Sequence, residues 1–481
     1  TIVNKRKKLL KKLYKKEDSF LPIKREVPLI SFFAKKEPFI IGEHKKASPS
    51  QGVFKVSKHK DIVKQYYDAG IRNFSVLTEE NYFKGSIKDL YEFKKKYPTC
   101  AFLRKDFLFC KHDIEISYRA GADAILLIVS ILSKKQLRTL IKEARKYRLQ
   151  TLCEVHDKEE LDKLLSCGIT PCAIGINCRD LKTFKIDISV PLKLKPYIPK
   201  GIKTVFESGI KNPFIAHLAG NAGFDALLIG QGLIENKKRK QLIKDILTEL
   251  KKGQKEPDNF FTKLFGKKKT RYIKICGMTS RKDATRAVRL GADCLGFIVA
   301  PSKRQTQMQD IEKYKSLKVL KIAVVVDPPK RQVAKLKSYI SKGYIDAVQF
   351  HGNESVKVVE DFKGNAYKVI TIGPQCRGHC PQWPFKEAKE YMPVVLFDTP
   401  KDLNAKKGSK ISSDLFKELK GVWIAGGIDK NNIKGIIKRV NPEFVDICSG
   451  IESVPGKKDH KLMEQVIKMV SDQKPETRDQ R

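Results

Sequence analysis

Ile40-Ile-Gly-Glu-His-Lys-Lys-Ala-Ser-Pro-Ser50 is the stretch from which the fold of this chain can be worked out. Residues 39–41 form a short apolar run typical of a buried strand. Glu43 and Lys45 follow at a spacing of two, so both side chains point the same way if the strand continues. The Ser-Pro-Ser after them turns the chain and offers hydroxyl and backbone N–H groups of the kind that bind phosphate. Taken alone, the same residues are typical of a surface ion pair before a turn.

Composition limits the classes of protein to which the chain can belong. Its 481 residues, 41% of them apolar, are enough for two or three domains with real cores. The net charge of +43 would ordinarily indicate nucleic acid or an anionic surface. The lysines are spread over nearly every predicted helix, however, and do not cluster with aromatic residues. We therefore predict a solvated basic surface that attracts phosphate-bearing substrates, with no nucleic-acid partner.

Cysteine usage and apolar runs indicate the compartment. The 11 cysteines include no CxxC pair, which is typical of reduced thiols in a cytoplasmic protein. The basic N-terminus has no apolar signal core, and the longest apolar run, 124–129, is too short to cross a bilayer. Residues 1–16 have apolar positions at helical spacing, which predicts an accessory helix packed on the domain that follows. We expect no membrane partner.

A regular alternation of apolar runs and charged helical segments begins at residue 38. The apolar runs of the first half are 39–41, 74–77, 101–103, 124–129, 151–155, 173–176, 204–206 and 226–229. Polar residues collect at one end of these runs: Glu43 and Lys45, Thr78, Lys105 and Asp106, Ser130, Glu154, Asn177 and Arg179, Glu207 and Ser208, and Gly230. Eight strands with functional groups at their carboxyl ends predict an α/β closed (β/α)8 barrel, the TIM-barrel architecture.

The alternation stops and then starts again. Residues 251–271 are rich in lysine and read as a linker, although Phe260, Phe261 and Leu264 could dock on a domain. A second set of eight apolar runs covers 273–276, 294–299, 322–326, 347–350, 367–372, 394–397, 422–425 and 444–447. The sequence therefore predicts two consecutive barrels, 1–250 and 272–481, joined by the linker.

The motifs at the strand ends resemble two known families. In the first half, Glu43-His-Lys45-Lys-Ala-Ser48-Pro-Ser50, Lys105-Asp106-Phe107, Gly175-Ile-Asn177-Cys-Arg179 and Glu207-Ser208-Gly209 resemble indole-3-glycerol-phosphate synthase. In the second half, Lys274-Ile-Cys276-Gly277, Ser302-Lys-Arg304, Val348-Gln349-Phe-His351-Gly352, Phe397-Asp398, Ala425-Gly426-Gly427 and Asp446-Ile-Cys-Ser449-Gly450 are similar to phosphoribosylanthranilate isomerase. The order of the two families resembles that of bifunctional tryptophan-biosynthesis enzymes of bacteria.

The second resemblance implies an isomerase. It would convert N-(5-phosphoribosyl)anthranilate to a carboxyphenylamino-deoxyribulose phosphate, which requires an acid and a base on opposite sides of the substrate. The family implies Cys276 as the base and Asp398 as the acid. An ordinary thiol is mostly neutral at pH 7, so Cys276 would need surroundings that favour the thiolate. Arg304 would hold the anthranilate carboxylate. His351 is read equally well as a core histidine and is left out of the catalytic set.

The first resemblance implies an enzyme that closes the indole ring of that product with loss of CO2 and water. Lys105 would be the general acid for ring closure and Glu154 the acid/base for dehydration, with the division of roles between Lys45 and Lys105 left open. The residues implied to order charge and substrate are Glu43, Lys45, Asn177, Arg179, Glu207 and Ser208. Phe83 and Phe107 would pack on the anthranilate ring, or are plain core.

Phosphate sites are expected near the seventh and eighth strands of each barrel. The candidate residues are Ser48, Gly209 and Gly230 in the first barrel, and Gly426, Gly427, Asp446 and Ser449 in the second. No metal cluster or nucleotide loop is apparent, and neither reaction requires a cofactor. Two departures from the families stand out: Gln231 replaces a small hydroxyl residue, and Lys406, Lys407 and Lys410 stand where the isomerases usually have glycines.

Two other hypotheses remain open at this point. Only the synthase half could be active, because the lysine-rich loop of the second barrel departs from its family. Alternatively, the chain could be a basic binding protein on a retired enzyme scaffold, with its lysines holding nucleic acid or anionic lipid. We expect a monomer that acts on phosphorylated anthranilate-sugar substrates.

Overall fold

A computed structural model describes residues 2–48, 52–53, 59–180, 183, 185–372, 388, 390–391, 393–398 and 422–472. The chain divides into two compact units, Thr1–Pro257 and Asp258–Arg481. Each unit contains one closed barrel of eight parallel strands. The prediction of two consecutive (β/α)8 barrels is therefore confirmed.

The strands of the first barrel follow the predicted apolar runs. They are β1 (Phe39–His44), β2 (Asn73–Leu77), β3 (Ala101–Lys105), β4 (Ala124–Ile128), β5 (Gln150–Val155), β6 (Ala173–Asn177), β7 (Lys203–Glu207) and β8 (Ala226–Ile229). Neighbouring strands pair in parallel, and β1 closes the barrel by pairing with both β2 and β8. Since both faces of the strands are covered, nearly every strand residue is buried.

Helices connect these strands and cover the outside of the barrel. The α-helices of this unit are Ile2–Asp18, His59–Asp68, Ile87–Lys96, Lys111–Arg119, Lys134–Lys146, Lys158–Leu165, Ser189–Leu194, Pro213–Asn221, Gln231–Ile234 and Arg239–Lys255. Helix Lys134–Lys146 shows why they form: Ser133 and Gln136 make a capping box at its start. Its buried residues, Leu137, Leu140, Ile141 and Ala144, recur at helical spacing on one face.

The N-terminal helix is anchored to the carboxyl end of β3. Arg6 is buried, and its Nη2 lies 2.8 Å from Asp106 Oδ2. Arg104 Nη2 also lies 3.1 Å from the same carboxylate oxygen. Because Asp106 directly follows Lys105, the accessory helix stabilises the segment that carries the predicted acid. All of residues 19–38 are described, and they contain neither helix nor strand.

The second barrel repeats the pattern with shorter connections. Its strands are β9 (Tyr272–Ile275), β10 (Cys294–Ile298), β11 (Leu320–Val325), β12 (Ala347–Phe350), β13 (Ala366–Thr371), β14 (Val395–Asp398), β15 (Trp423–Ala425) and β16 (Phe444–Ile447). Its described α-helices are Phe260–Gly266, Arg281–Arg289, Met308–Ile311, Lys330–Ser341, Val356–Glu360, Ile433–Val440 and His460–Ser471. Two short antiparallel strand pairs lie outside the barrels: residues 47–48 with 52–53, and residues 452–454 with 457–458.

The predicted linker is more ordered than its composition indicated. Helix Arg239–Lys255 runs into its first five residues, and Phe260–Gly266 forms a separate helix in the second unit. Phe260, Phe261 and Leu264 are fully buried, and the Phe260 ring stacks on Tyr367 with 5.8 Å between centroids. The division between the units therefore falls at residues 257 and 258, because these apolar side chains pack into the second unit.

Among the described residues, no helix has the length and apolar character needed to cross a membrane.

Candidate active sites

The mouth of the first barrel is a cleft at the carboxyl ends of its strands. It encloses about 1140 Å³, part of which is open to solvent. The predicted residues that line it are Glu43, Lys45, Phe83, Lys105, Phe107, Glu154, Asn177, Arg179, Ser208, Gly209 and Gly230. These residues come from all parts of the first unit and meet because parallel strands of a barrel end at the same face.

Lys105, the last residue of β3, is the centre of this cleft. Its Nζ lies 2.9 Å from Glu207 Oε2, 3.5 Å from Glu154 Oε2 and 3.6 Å from Glu43 Oε2. Burial by itself would lower the pKa of Lys105, but the three carboxylates outweigh it and raise that pKa. The ammonium group is therefore charged at neutral pH and can act as a cationic acid.

The glutamates around Lys105 have pKa values shifted in opposite directions. Burial raises the pKa of Glu207, and the neighbouring charge of Glu154 adds to this effect. Burial also acts to raise the pKa of Glu154, but the charge of Lys105 and the neighbouring His156 ring lower it overall. Of the two carboxyl groups, Glu207 is therefore the one that binds a proton more readily, and such a difference suits acid/base chemistry.

Glu207 lies beneath the cleft and not on its wall. The side chain is fully buried, and its Oε2 accepts a hydrogen bond from Lys105. A Cβ at Gly175 on β6 would lie 1.9 Å from Glu207 Oε1, so a glycine is required there to leave room for the carboxylate. In this position Glu207 orients Lys105 from below.

Glu43 and Lys45 meet as their spacing predicts. Lys45 Nζ lies 2.8 Å from Glu43 Oε1, and both side chains line the cleft. Burial raises the pKa of Glu43, but Lys45 and Lys105 outweigh it and lower that pKa. A Cβ at Gly230 would lie 2.3 Å from Glu43 Oε1, so the glycine after β8 makes room for this pair.

His156 is a site residue that the sequence reasoning missed. Its Nε2 lies 3.4 Å from Glu154 Oε1 and its Nδ1 lies 3.0 Å from Glu160 Oε2. Burial would lower the pKa of His156, but the two glutamates raise it to about 10. The imidazolium is thus held on the opposite side of Glu154 from Lys105. Its place two residues after Glu154, on the same side of the strand, is the signal that could have found it.

The loop after β7 has an unusual backbone. Ser208 and Gly209 both have left-handed conformations, with φ of +70° and +72°. A non-glycine residue in this region stores strain, which is common at functional sites. A Cβ at Gly209 would lie 2.9 Å from Ile186, so only glycine fits there without displacement.

Two carboxylates support the aromatic residues of the cleft. Glu79 Oε2 accepts hydrogen bonds from the backbone N–H groups of Tyr82 and Phe83. Asp106 Oδ1 accepts one from the backbone N–H of Phe107, at 2.8 Å. Both aromatic side chains line the cleft, and Phe107 also packs against the hydrophobic core of the barrel.

Two other predicted residues of the first barrel, Asn177 and Ser48, and the departure Gln231 lie near the ends of the strands. Asn177 ends β6, and its Oδ1 accepts a hydrogen bond from the N–H of Arg179 at 3.0 Å. Ser48 lies in a two-residue strand that pairs with residues 52–53, and its side chain is outside the described part of the chain. Gln231 lines the cleft and donates to Glu235.

The interior of the second barrel contains a buried lysine. Lys274 on β9 has no exposed side-chain surface, and its Nζ lies 2.6 Å from Asp446 Oδ2 and 2.5 Å from Gln349 Oε1. Burial would lower the pKa of Lys274, but Asp446 outweighs it and raises that pKa. The carboxylate of Asp446, which is predicted as part of a phosphate site, lies inside the barrel on Lys274.

Cys276 lies at the mouth above this pair, beside a second cysteine. Lys274 Nζ is 3.5 Å from Cys276 Sγ, which favours a thiolate. The neighbouring Cys448 thiol, followed by burial, nevertheless raises the pKa of Cys276 well above its usual range. The Cys276 thiol in turn lowers the pKa of Cys448. Cys448 is therefore a site residue that the sequence reasoning missed.

Asp398 ends β14 and pairs with a histidine. His351 Nε2 lies 3.2 Å from Asp398 Oδ2, with both side chains partly exposed at the mouth. His351, which the sequence reasoning does not include in the catalytic set, contacts the predicted acid. Its position directly after β12, at the carboxyl end of a barrel strand, is the signal that identifies it as a site residue.

Arg304 has a carboxylate partner within the chain. Its Nε and Nη2 bind both oxygens of Glu452 at 2.7–2.9 Å, and Lys458 Nζ lies 2.9 Å from Glu452 Oε1. This is the bidentate geometry expected for a substrate carboxylate. A carboxylate arriving at Arg304 would meet Glu452 already bound there.

The remaining predicted residues of the second barrel follow β15 and β16, and their backbone conformation and hydrogen bonds are described. Gly426 and Gly427 have φ of +96° and +55°, and the carbonyl oxygen of Gly427 accepts a hydrogen bond from Asn432. The carbonyl of Ser449 accepts one from the N–H of Glu452. Lys406, Lys407 and Lys410 lie outside the described residues. Within the described ranges, no three His, Cys, Asp or Glu side chains are grouped as metal ligands would be.

Comparison with family models gives one match for each barrel. Residues 2–246 match the model of indole-3-glycerol phosphate synthase. Residues 273–469 match the model of N-(5'phosphoribosyl)anthranilate (PRA) isomerase.

The chain is also similar to individual proteins. The indole-3-glycerol phosphate synthase of Chlorobium phaeobacteroides is 46% identical over 42% of this chain and 78% of its own length. The multifunctional tryptophan biosynthesis protein of Schizosaccharomyces pombe is 26% identical over 94% of this chain, which spans 62% of that protein. Among solved structures, a phosphoribosylanthranilate isomerase from Thermotoga maritima is 28% identical over 42% of this chain and 100% of its own, with a TM-score of 0.36.

Proposed function

The chain belongs to the indole-3-glycerol phosphate synthase family, and we propose that it catalyses two consecutive steps of tryptophan biosynthesis, one at each barrel mouth. The second barrel isomerises N-(5-phosphoribosyl)anthranilate to 1-(2-carboxyphenylamino)-1-deoxyribulose 5-phosphate. The first barrel closes this product to indole-3-glycerol phosphate with loss of CO2 and water. Similarity to the multifunctional protein along most of the chain supports both activities in this order.

The observation that carries the synthase proposal is the position of Lys105. Its ammonium group lies within 3.6 Å of three carboxylates contributed by three strands, at the mouth of the cleft. A cation there can protonate the carbonyl oxygen as the ring closes. Glu154, ionised and on the cleft wall, can then take the proton whose loss accompanies dehydration.

The other residues of the first mouth bind and orient the substrate. Phe83 and Phe107 provide apolar surfaces for the anthranilate ring. Lys45 and Arg179 supply positive charge toward the carboxylate and phosphate groups. The N–H groups of the loop at Gly209 and the turn at Gly230 can approach a phosphate closely, because no side chain stands in the way.

For the isomerase step, Asp398 is the acid that opens the ribose ring and Cys276 is the base that removes the proton from the adjacent carbon. Lys274, directly beneath Cys276, stabilises the thiolate that accepts this proton. His351 orients the Asp398 carboxyl group. Arg304 binds the anthranilate carboxylate and has to share its guanidinium group with Glu452.

Separate assays of the two steps test the assignment. Lys105→Ala is expected to reduce ring closure about 10²- to 10⁴-fold and to leave isomerisation unchanged, since it removes the acid of one barrel only. Cys276→Ala is expected to show the reverse pattern. Isomerisation at the normal rate in Cys276→Ala would refute the assignment of the base.

The same assays separate the remaining hypotheses. Turnover of only the ring-closure substrate by the unmodified chain would mean that the second barrel is inactive. Turnover of neither substrate, together with salt-sensitive binding to duplex DNA, would favour a basic binding protein. Action as a monomer stays a prediction. The described cysteines are all free, which supports a reducing compartment such as the cytoplasm.

A further inference from the structure

Two cysteines lie side by side at the mouth of the second barrel. Ile275 of β9 pairs in register with Ile447 of β16, so Cys276 and Cys448 are the next pair along the same two strands. The backbone confirms this register, because the N–H of Cys276 donates to the carbonyl oxygen of Ile447 at 2.8 Å. Neighbouring residues on paired strands have Cα atoms about 4.8 Å apart. That separation lies within the range of about 4.4–6.8 Å that disulfides span.

The two thiols also point in the same direction. Lys274 and Asp446, each two residues earlier on its strand, bind one another inside the barrel at 2.6 Å. Since side chains two apart on a strand share a face, Cys276 and Cys448 both follow that inward direction. A Cβ added at Gly277 would lie 3.2 Å from Cys448 Sγ, which places this sulfur beside the segment that follows Cys276.

We propose that a peroxide oxidises Cys276 and Cys448 to a cross-strand disulfide, and that this bond reversibly turns off the second active site without affecting the first. The effect on activity rests on the proposed role of Cys276 as the base of the isomerase. The formation of the bond rests only on the geometry of the two strands.

The chemistry starts at Cys448, the thiol of the pair with the lowered pKa. Its thiolate attacks one oxygen of the peroxide, which breaks the O–O bond and forms a sulfenic acid. The sulfur of Cys276 then attacks the sulfur of Cys448, which forms the S–S bond and releases the oxygen as hydroxide. The two thiols lose two protons and two electrons, and hydrogen peroxide is reduced to two molecules of water. A dithiol reductant reverses the change.

The surroundings favour this pair over other described cysteines. Lys458 Nζ donates to the carbonyl oxygen of Cys448 at 3.1 Å, and it brings positive charge near the attacking sulfur. Cys448 is partly exposed, so a small oxidant can reach it. By contrast, Cys153 and Cys178 in the first barrel are fully enclosed, and burial raises the pKa of each.

Peptide mapping of the oxidised full-length protein tests whether the bond forms. After treatment with hydrogen peroxide and blocking of free thiols, trypsin should release residues 275–281 linked to residues 440–457. The linked species should disappear after dithiothreitol. Cys448→Ser should not form it, whereas Cys172→Ser, which removes a half-buried thiol of the first barrel, should form it normally. Absence of the linked peptides in the unmodified protein would overturn the proposal, whether or not any variant folds.

Activity measurements test the consequence. We expect oxidation to reduce isomerisation about tenfold or more, with recovery in dithiothreitol, and to change ring closure less than about twofold. Isomerisation unaffected by a quantitatively formed disulfide would refute the switch. If the reduced protein does not isomerise its substrate at all, the proposed function fails, and the linked peptides still report on the bond.

Discussion

Each barrel has a lysine paired with carboxylates, but the two lysines lie at different distances from the mouth of the barrel. Lys105 is the last residue of β3, keeps 16% of its side chain exposed and contacts three carboxylates at the mouth. Lys274 lies two residues before the mouth, is completely buried and has one carboxylate partner. Lys105, at the end of its strand, can therefore reach substrate. Lys274 lies two residues deeper and can only support Cys276, the residue above it at the mouth.

The two mouths also use different pairs of like groups. Glu154 and Glu207 share the first mouth, and Cys276 and Cys448 share the second. In each pair one pKa is raised and the other lowered. Opposite pKa shifts of two neighbouring like groups therefore occur with carboxyl groups in one barrel and with thiols in the other.

Replacing the interior lysine should have the largest effect on stability. Lys274→Met leaves Asp446 buried without its cation, so the free energy of unfolding of the second barrel should fall by about 3–5 kcal/mol. Both tryptophans of the chain, Trp383 and Trp423, belong to this unit, so urea unfolding followed by tryptophan fluorescence reports it selectively.

The double variant Lys274→Met with Asp446→Leu is the matched control. It removes both charges and should regain most of the lost stability. Lys105→Met should leave the tryptophan transition unchanged, because Lys105 belongs to the first barrel. A loss below about 1 kcal/mol in the single variant would contradict the view that Lys274 supports the second barrel through this ion pair.

Alanine substitution of one glycine in each barrel should have a smaller effect, and it tests whether the two sites work separately. A Cβ at Gly175 would lie 1.9 Å from Glu207 Oε1, and a Cβ at Gly296 would lie 2.6 Å from Cys276 Sγ. Gly175→Ala should lower ring closure and Gly296→Ala should lower isomerisation, each about 10- to 100-fold, because the reactive group is displaced. Steady-state assays of both steps on both variants measure this.

Gly266→Ala serves as the control, since nothing lies within 4 Å of the added Cβ. It should change neither activity. If each alanine variant affected both steps equally, the comparison of two separately built sites would fail, and general destabilisation would explain the losses.

The smallest expected effect is a pH dependence confined to the first barrel. The pKa of His156 is raised to about 10 by its glutamate partners. The stability it contributes is therefore fully present below pH 6.5 and is lost as the pH rises through about 10. His156→Gln should flatten the decline in melting temperature between about pH 7 and pH 10.

Circular dichroism and tryptophan fluorescence together localise this change. The fluorescence transition of the second barrel should keep its pH dependence in His156→Gln, while the dichroism transition of the first barrel loses part of it. An equal decline in the variant and the parent protein would mean that the ion pairs of His156 add no stability.

Much of the architecture follows from local sequence patterns. All sixteen predicted strands correspond to strands of the barrels, because each is a short apolar run followed by a helical segment. Polar residues at the strand ends also indicated the first site, since parallel strands bring their carboxyl ends to one face. In the linker, the sequence identified Phe260, Phe261 and Leu264 as residues that could dock on a domain. Its lysine-rich composition did not predict the helix Phe260–Gly266 that carries them.

The sequence by itself determined the two barrels and the residue types at their mouths, because strand periodicity decides which side chains share a face. Only the tertiary structure decided which of those groups touch one another. It placed Asp446 on Lys274 inside the barrel, Glu452 on Arg304, and Cys448 beside Cys276. These contacts join residues 148 to 172 positions apart along the chain, and they arise only when the barrel closes. Since the pKa of a group depends on its burial and nearest charges, the chemistry of each site could be read only after folding.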